Sequence, residues 1–334
     1  MHLGKSYRLS EFVFWTRRKI YVLLALSAVP VLLYQVLGLK WLTVPLPVVT
    51  LLGTATTFVV GFKNVQTYTR TLEAQKTWMA IVSASRFWGV INREYVEDPG
   101  RARGLVDRHF AWLTALRHQL RSARVWETTD SACNAEYRKH YAIPERLHPL
   151  DVELSRYLPP EELRALAGAD GKAVQLLGLQ GRAVRRLLAE GAISASEYAE
   201  LNSRIRDFLD LQGQAERIKN FPYPRQYAII NTFFVRSFCL LLPFGLIGEF
   251  DRLNQSVTGV MRGEMIWLVV PFSAMISWIY TSLEQVGEST ENPFEGGAND
   301  VPISHLSALI ERDVKQMHGR ADLPGLPAAE GIML

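Results

Sequence analysis

Apolar positions along the chain gather into four blocks, at residues 21–39, 43–62, 227–250 and 266–283. Each is about twenty residues long and nearly free of charge, the length that crosses a bilayer as a helix. Lys40 and Trp41 lie in the short link between the first two blocks, so these form a tight hairpin, and the last two form a second. The stretch between the hairpins is polar overall. Its apolar residues recur every three or four positions, the helical period, first in a run from Thr71 that continues the second block and then from Arg101 to Arg121. Beyond Arg121, Pro144, Pro149, Pro159 and Pro160 break the chain into short pieces. Helical patterns resume at 160–169, 173–191 and 193–218, the last with Ser194 or Ser196 placed to cap its first turn. No alternating strand pattern of useful length occurs. After Asp313 the tail turns rich in Gly, Pro and Ala and reads as disordered or as a strap.

The second block carries two stripes. Gly53, Thr57 and Gly61 recur every fourth residue and offer a small-residue surface for close helix packing. Thr54, Phe58 and Phe62 recur one position along, about 100° round the helix. Aromatic residues at this spacing read as packing against a core or lipid. They also suit the wall of a narrow pore, where Phe constrictions gate by dewetting and ring edges carry partial positive charge.

Charge gives the orientation. Lys5, Arg8, Arg17, Arg18 and Lys19 precede the first block, Lys63, Arg70 and Lys76 follow the second, and Arg217, Lys219 and Arg225 precede the third. The positive-inside rule then puts both termini and the middle region on the cytoplasmic side; the acidic residues Glu284, Glu288 and Glu291 dissent but weigh little in that rule. The expected organisation is a cytosolic segment at 1–20, a hairpin at 21–62, a helical cytosolic domain at 63–226, a second hairpin at 227–283 and a cytosolic segment at 284–334. Arg17-Arg18 ahead of an apolar run resembles an export signal. The run passes Ala28 without a break and meets a second span at once, so an uncleaved span is expected.

A mean hydropathy near zero hides these two populations. The net charge of +4 is concentrated beside the apolar blocks and reads as membrane topology, with no aromatic–basic interleaving of the kind that binds nucleic acid. Cys133 and Cys239 make neither a disulfide framework nor a metal pair and read as inert thiols. Walker, GxSxG and HExxH patterns are absent, and the seven histidines are scattered, so neither an enzyme nor a metal centre is expected. Arg236 lies inside the third block. A guanidinium at that depth is costly. It reads as a charge beside an ion path, as a snorkelling side chain, or as the partner of Glu73 or Glu284.

Four phrases in order resemble the bestrophin family, in its bacterial branch. Gly61-Phe62-Lys63-Asn64 is followed by Tyr68, Arg70, Glu73, Ala74 and Trp78; Glu216-Arg217-Ile218 by Pro222-Tyr223-Pro224 and Tyr227; then come Leu242-Pro243-Phe244-Gly245-Leu246, and Glu291-Asn292-Pro293-Phe294 with Asn299-Asp300-Val301-Pro302. The resemblance implies an all-α membrane protein with four transmembrane helices per subunit and a helical cytosolic domain. It implies a homopentamer around one axial pore in the bacterial inner membrane, passing monovalent ions, with chloride favoured. Sodium selectivity on the same architecture is the alternative, and a membrane-anchored scaffold or sensor is a rival from another class. The family's hydrophobic neck falls on Thr54, Phe58 and Phe62, where Thr54 departs from an apolar pattern and should wet the outer ring. Gly53, Thr57 and Gly61 become the surface on which neck helices approach. Eukaryotic relatives hold calcium in an acidic clasp after Asn-Pro-Phe. Here, around Asn292, only Glu295 and Asp300 are acidic, too few for a hard-cation site, and no calcium or other cofactor is expected.

Overall fold

A computed structural model describes residues 9–127, 141–326 and 332–334. Cys133, His2, His140, Lys5 and Arg8 lie outside the described residues. Among those described, the regular structure is helical and no strand forms. In chain order the helices are α1 (Leu9–Gln35), α2 (Leu46–Tyr95), α3 (Pro99–Arg121), α4 (Pro144–Leu147), α5 (Leu150–Leu154), α6 (Pro160–Ala165), α7 (Lys172–Ala189), α8 (Ala195–Asn220), α9 (Arg225–Ser256), α10 (Val269–Ser289) and α11 (Ile303–Met317). A 3₁₀ turn at Met265–Leu268 leads into α10. Four of these helices are long and apolar enough to cross a membrane: α1, α2, α9, and α10 with its leading turn.

The chain divides into two compact units. One comprises Lys5–Thr69 and Tyr223–Glu291, the other chiefly Arg70–Pro222 and Asn292–Leu334.

The first unit holds the apolar spans. Its buried residues form small separate clusters, such as Val31, Tyr34, Ile247, Ile266 and Val269, or Leu23, Val60, Val235 and Cys239. Polar ties join its helices: Ser27 donates to Ser273 at 3.2 Å, Trp278 Nε1 to Thr16 Oγ1 at 2.9 Å, and Tyr34 to Asp251 at 2.8 Å. In hydrocarbon such interhelical hydrogen bonds add to van der Waals packing, because lipid gives apolar helices no solvent reason to associate. Helix α1 begins at Leu9, ahead of the apolar block at 21–39, because its early turns are amphipathic. Phe12 lies edge-on to Trp278 at 5.8 Å, and Thr16 is buried, while Leu9, Val13 and Phe14 face outward.

The second unit is built around one large core. Trp78, Trp88, Trp112, Phe110, Phe208 and Phe294 are all sealed from solvent within it. Helix α3 starts where Asp98 accepts from the Gly100 and Arg101 amides, with Pro99 in the first turn. Helix α8 starts at a capping box: Ser194 accepts from the Glu197 amide, and the Glu197 carboxylate accepts from the Ser194 amide at 2.7 Å. The cap is therefore Ser194 rather than Ser196. Helix α11 continues past Asp313 to Met317, because Val314 is buried in the core and packs against Gly89. The tail does act as a strap in part. Ile332 and Leu334 pack with Tyr141 and Ile143, and the Leu334 carbonyl accepts from the His305 amide at 2.7 Å.

Candidate functional site

The stretch of α2 in the first unit has two contrasting faces. Val49, Gly53, Thr56, Val60 and Lys63, spaced by three or four residues, are buried. Leu51, Thr54, Phe58, Phe62 and Val65, at the same spacing, are exposed. The structure thus places Thr54, Phe58 and Phe62 together on one open face. Phe58 is 74 % and Phe62 55 % exposed, and successive members of the row stand about 6 Å apart along the axis. The Thr54 hydroxyl donates to the Thr50 carbonyl at 3.0 Å, so its hydrogen is turned into its own helix and its lone pairs remain outward.

The small-residue stripe is divided among three surroundings. A Cβ on Gly53 would stand 2.7 Å from the Phe238 ring of α9, and one on Gly245 of α9 would stand 2.8 Å from Val49. Each helix therefore presents a glycine to a bulky side chain of the other, and α2 and α9 meet closely there within one chain. Thr57 shares a 2.7 Å hydrogen bond with Tyr280 of α10 and also donates to the Gly53 carbonyl at 2.9 Å. Gly61 is exposed, with open space around it. Within one chain the three meet different neighbours: Gly53 meets α9, Thr57 meets α10 and Gly61 stands open.

Arg236 is exposed on α9, in a row with Phe233 and Leu240. Of the suggested carboxylates, Glu284 in the same unit takes a 3.5 Å hydrogen bond from Asn231, and Glu73 in the other unit accepts from Arg217. Buried Lys63 sits 3.7 Å from the Glu291 carboxylate, and Thr290 donates to Thr67 at 3.2 Å. These contacts tie the C-terminal end of the Phe face to the end of α10, and the sequence pattern does not announce them. The sign available was a lysine directly after Phe62 in a helix otherwise apolar to that point.

In the second unit, Asn292, Glu295 and Asp300 are all buried. The Asp300 carboxylate accepts from the Gly296 amide at 2.7 Å and the Gly297 amide at 2.9 Å, and lies 3.7 Å from Arg121. Arg121 also donates to the Phe294 carbonyl at 3.2 Å and lies 3.7 Å from Glu145. Glu145 in turn takes hydrogen bonds from Arg117 at 2.5 Å and Ser304 at 2.6 Å. Burial alone would raise the Glu145 carboxyl, but Arg117 and Arg121 outweigh it and hold the group below the usual range. Donors crowd Asp300, whereas a hard cation needs a shell of oxygen acceptors. The Arg121 guanidinium lies beside the Asp300 carboxylate and supplies the positive charge there. Among the described residues no group of three His, Cys, Asp or Glu side chains converges as a metal site. His109, one of the scattered histidines, is packed between Trp112 and Phe208. Cys239 is a free, buried thiol whose Sγ is 3.9 Å from the Ser277 carbonyl.

Comparison with known proteins gives a consistent result. Residues 14–316 match the family model described as Bacterial/Fungal Bestrophin protein. The chain is 29% identical over 294 residues to the voltage-dependent anion channel-forming protein YneE of Salmonella typhi, covering 87% of this chain and 82% of that one. It is 26% identical over 291 residues to the protein of the same name in Escherichia coli (strain K12), again over 87% and 82%. Among solved structures, a bacterial bestrophin homolog from Klebsiella pneumoniae superimposes with a TM-score of 0.75 at 23% identity, covering 91% of this chain and 98% of that chain.

Proposed function

Since the chain belongs to the bacterial and fungal bestrophin family, we propose that this membrane protein is a passive anion channel. In this reading it assembles as a homopentamer in the bacterial inner membrane, with both termini in the cytoplasm. The observation that carries the reading is the open face of α2. It sets Thr54, Phe58 and Phe62 outward on a helix whose opposite side is packed. Around a fivefold axis these residues make three stacked rings about 6 Å apart. An ion crossing them sheds part of its hydration. The two Phe rings form the narrowing, and their electropositive edges favour chloride. No covalent chemistry is required. The relatives named as anion channel-forming proteins support the sign of the ion.

Sodium selectivity on the same architecture is the second reading, and one observation favours it. The Thr54 hydroxyl gives its hydrogen to Thr50, so the outer ring presents oxygen lone pairs, which suit cations. Planar-bilayer recording of the purified protein under a salt gradient decides between the two, because the sign of the reversal potential names the permeant ion. Phe58→Ala with Phe62→Ala should raise unitary conductance; unchanged conductance and selectivity would remove these residues from the neck. A complex that is monomeric in detergent would sink the axial pore and leave the scaffold reading.

A further inference from the structure

A cavity of about 460 Å³ opens in the second unit among α3, α4, α5, α11 and the segment after α11. Its volume is in the range of small-molecule sites, and the conduction reading makes no use of it. The charges set deepest in it are already spent on one another. Glu145 accepts from Arg117 and Ser304. Glu311 accepts from Tyr157 at 2.8 Å and lies 2.8 Å from Lys315, which is also bound by Asp322 at 3.0 Å. A cationic ligand would find no free carboxylate there.

The unspent groups are donors. Arg103 and Arg156, 63% and 59% exposed, stand at the rim. Each guanidinium carries five N–H donors. Among the described residues each is engaged only by a neighbour on its own segment, Asp107 at 3.4 Å and Glu153 at 3.2 Å respectively. His118 and His148 also line the space, and neither makes a hydrogen bond among the described residues. Half-buried Ala308 and Pro324 supply apolar surface beside them.

The geometry points to a binding site for a small organic oxyanion, a polycarboxylate or phosphate ester. Its charged head is held by Arg103 and Arg156, and its short carbon body lies against Ala308 and Pro324. Occupancy reaches beyond the cavity. An oxyanion that draws on Arg117 competes with Glu145, and Glu145 is shared with Arg121, which holds the Phe294 carbonyl and Asp300 on the segment leaving α10.

Isothermal titration of the purified full-length protein, in buffer with chloride present, tests the site with citrate and with glycerol 3-phosphate as probes. At least one of them should bind with a Kd below about 1 mM. The two probes separate the carboxylate from the phosphate source. Arg103→Gln with Arg156→Gln should weaken binding by about tenfold or more, while Arg103→Lys with Arg156→Lys should retain an intermediate affinity, since charge remains but the planar fork is lost. The melting temperature of each variant, compared with the parent, reports that the fold is kept. Absence of heat for both probes up to about 10 mM would overturn the proposal. So would unchanged affinity in the Gln variant, or displacement of the organic probes by inorganic phosphate or sulfate at equal concentration.

Discussion

In the second unit Trp78, Trp88 and Trp112 are sealed within a single core, whereas in the first unit Phe58, Phe62, Phe233 and Ile229 stand open. Both units are helical and both are rich in aromatic residues, so aromatic content does not separate them. What differs is where the burial is completed. The second unit completes it within one chain, with α3, α7, α8 and the later part of α2 wrapped round the tryptophans. The first unit makes only small clusters of its own and leaves many of its large apolar side chains exposed. Aromatic truncation should therefore have opposite consequences in the two. Trp112→Ala removes a fully buried ring and strands its 2.9 Å partner Gln212, and should cost about 3–5 kcal/mol. Thermal unfolding followed by circular dichroism checks this. A variant within about 1 kcal/mol of the parent would mean that the core is not the stabilising centre described.

Acid should also single out the second unit. His109 is wholly buried among Trp88, Trp112 and Phe208, and burial pushes its imidazole down to about 3 from an ordinary value of 6.5. In the unfolded chain the imidazole takes up a proton near pH 6.5, and in the folded chain only near pH 3. The unfolded state therefore binds more protons between those limits. The contribution is fully present above pH 6.5 and is lost as pH falls toward 3. His109→Phe should flatten the dependence of melting temperature on pH between about 6 and 4. An equally steep fall in the variant would assign the acid sensitivity to other groups.

How much of this was legible in the sequence depends on the distance between partners. The four apolar blocks, the long run of α2, the proline-broken middle and a serine cap at Ser194 or Ser196 are local patterns, and each is visible within a window of a few turns. That Thr54, Phe58 and Phe62 share one side of a helix was legible for the same reason; that this side stands open was not. The split of Gly53, Thr57 and Gly61 was not, because it depends on Phe238 and Tyr280, far along the chain. The Arg117–Glu145–Arg121–Asp300 network joins α3, α4 and the loop before α11, and no spacing rule links them. The early start of α1 was hidden by the charges in its first turns, which lower hydropathy without breaking the helical period.

The contact at Gly53 tests the first unit on its own terms. Gly53→Val places a branched side chain where a Cβ alone would already stand 2.7 Å from the Phe238 ring. Overpacking of this kind costs about 1–3 kcal/mol. Phe238→Ala in the same chain should recover part of the loss, since the ring is the obstacle. Unfolding in a fixed detergent, with parent and both variants compared, reads the coupling. No recovery in the double variant would mean that Gly53 is constrained by something other than α9.

The smallest expected change sharpens the contrast most. Phe58 has 74 % of its surface open in the single chain, and the structure gives its ring no aromatic partner among the described residues. Phe58→Ala removes as many ring atoms as truncating a core phenylalanine, yet little buried contact is lost within the chain. Its effect on unfolding of the solubilised subunit should stay within about 0.5 kcal/mol. The same substitution should alter conductance in a bilayer, because the exposed ring is then acting on the ion path rather than on the fold. A loss of several kcal/mol would show that the ring completes a packed interface between copies, and would move Phe58 from the pore wall to the contacts that hold the assembly together.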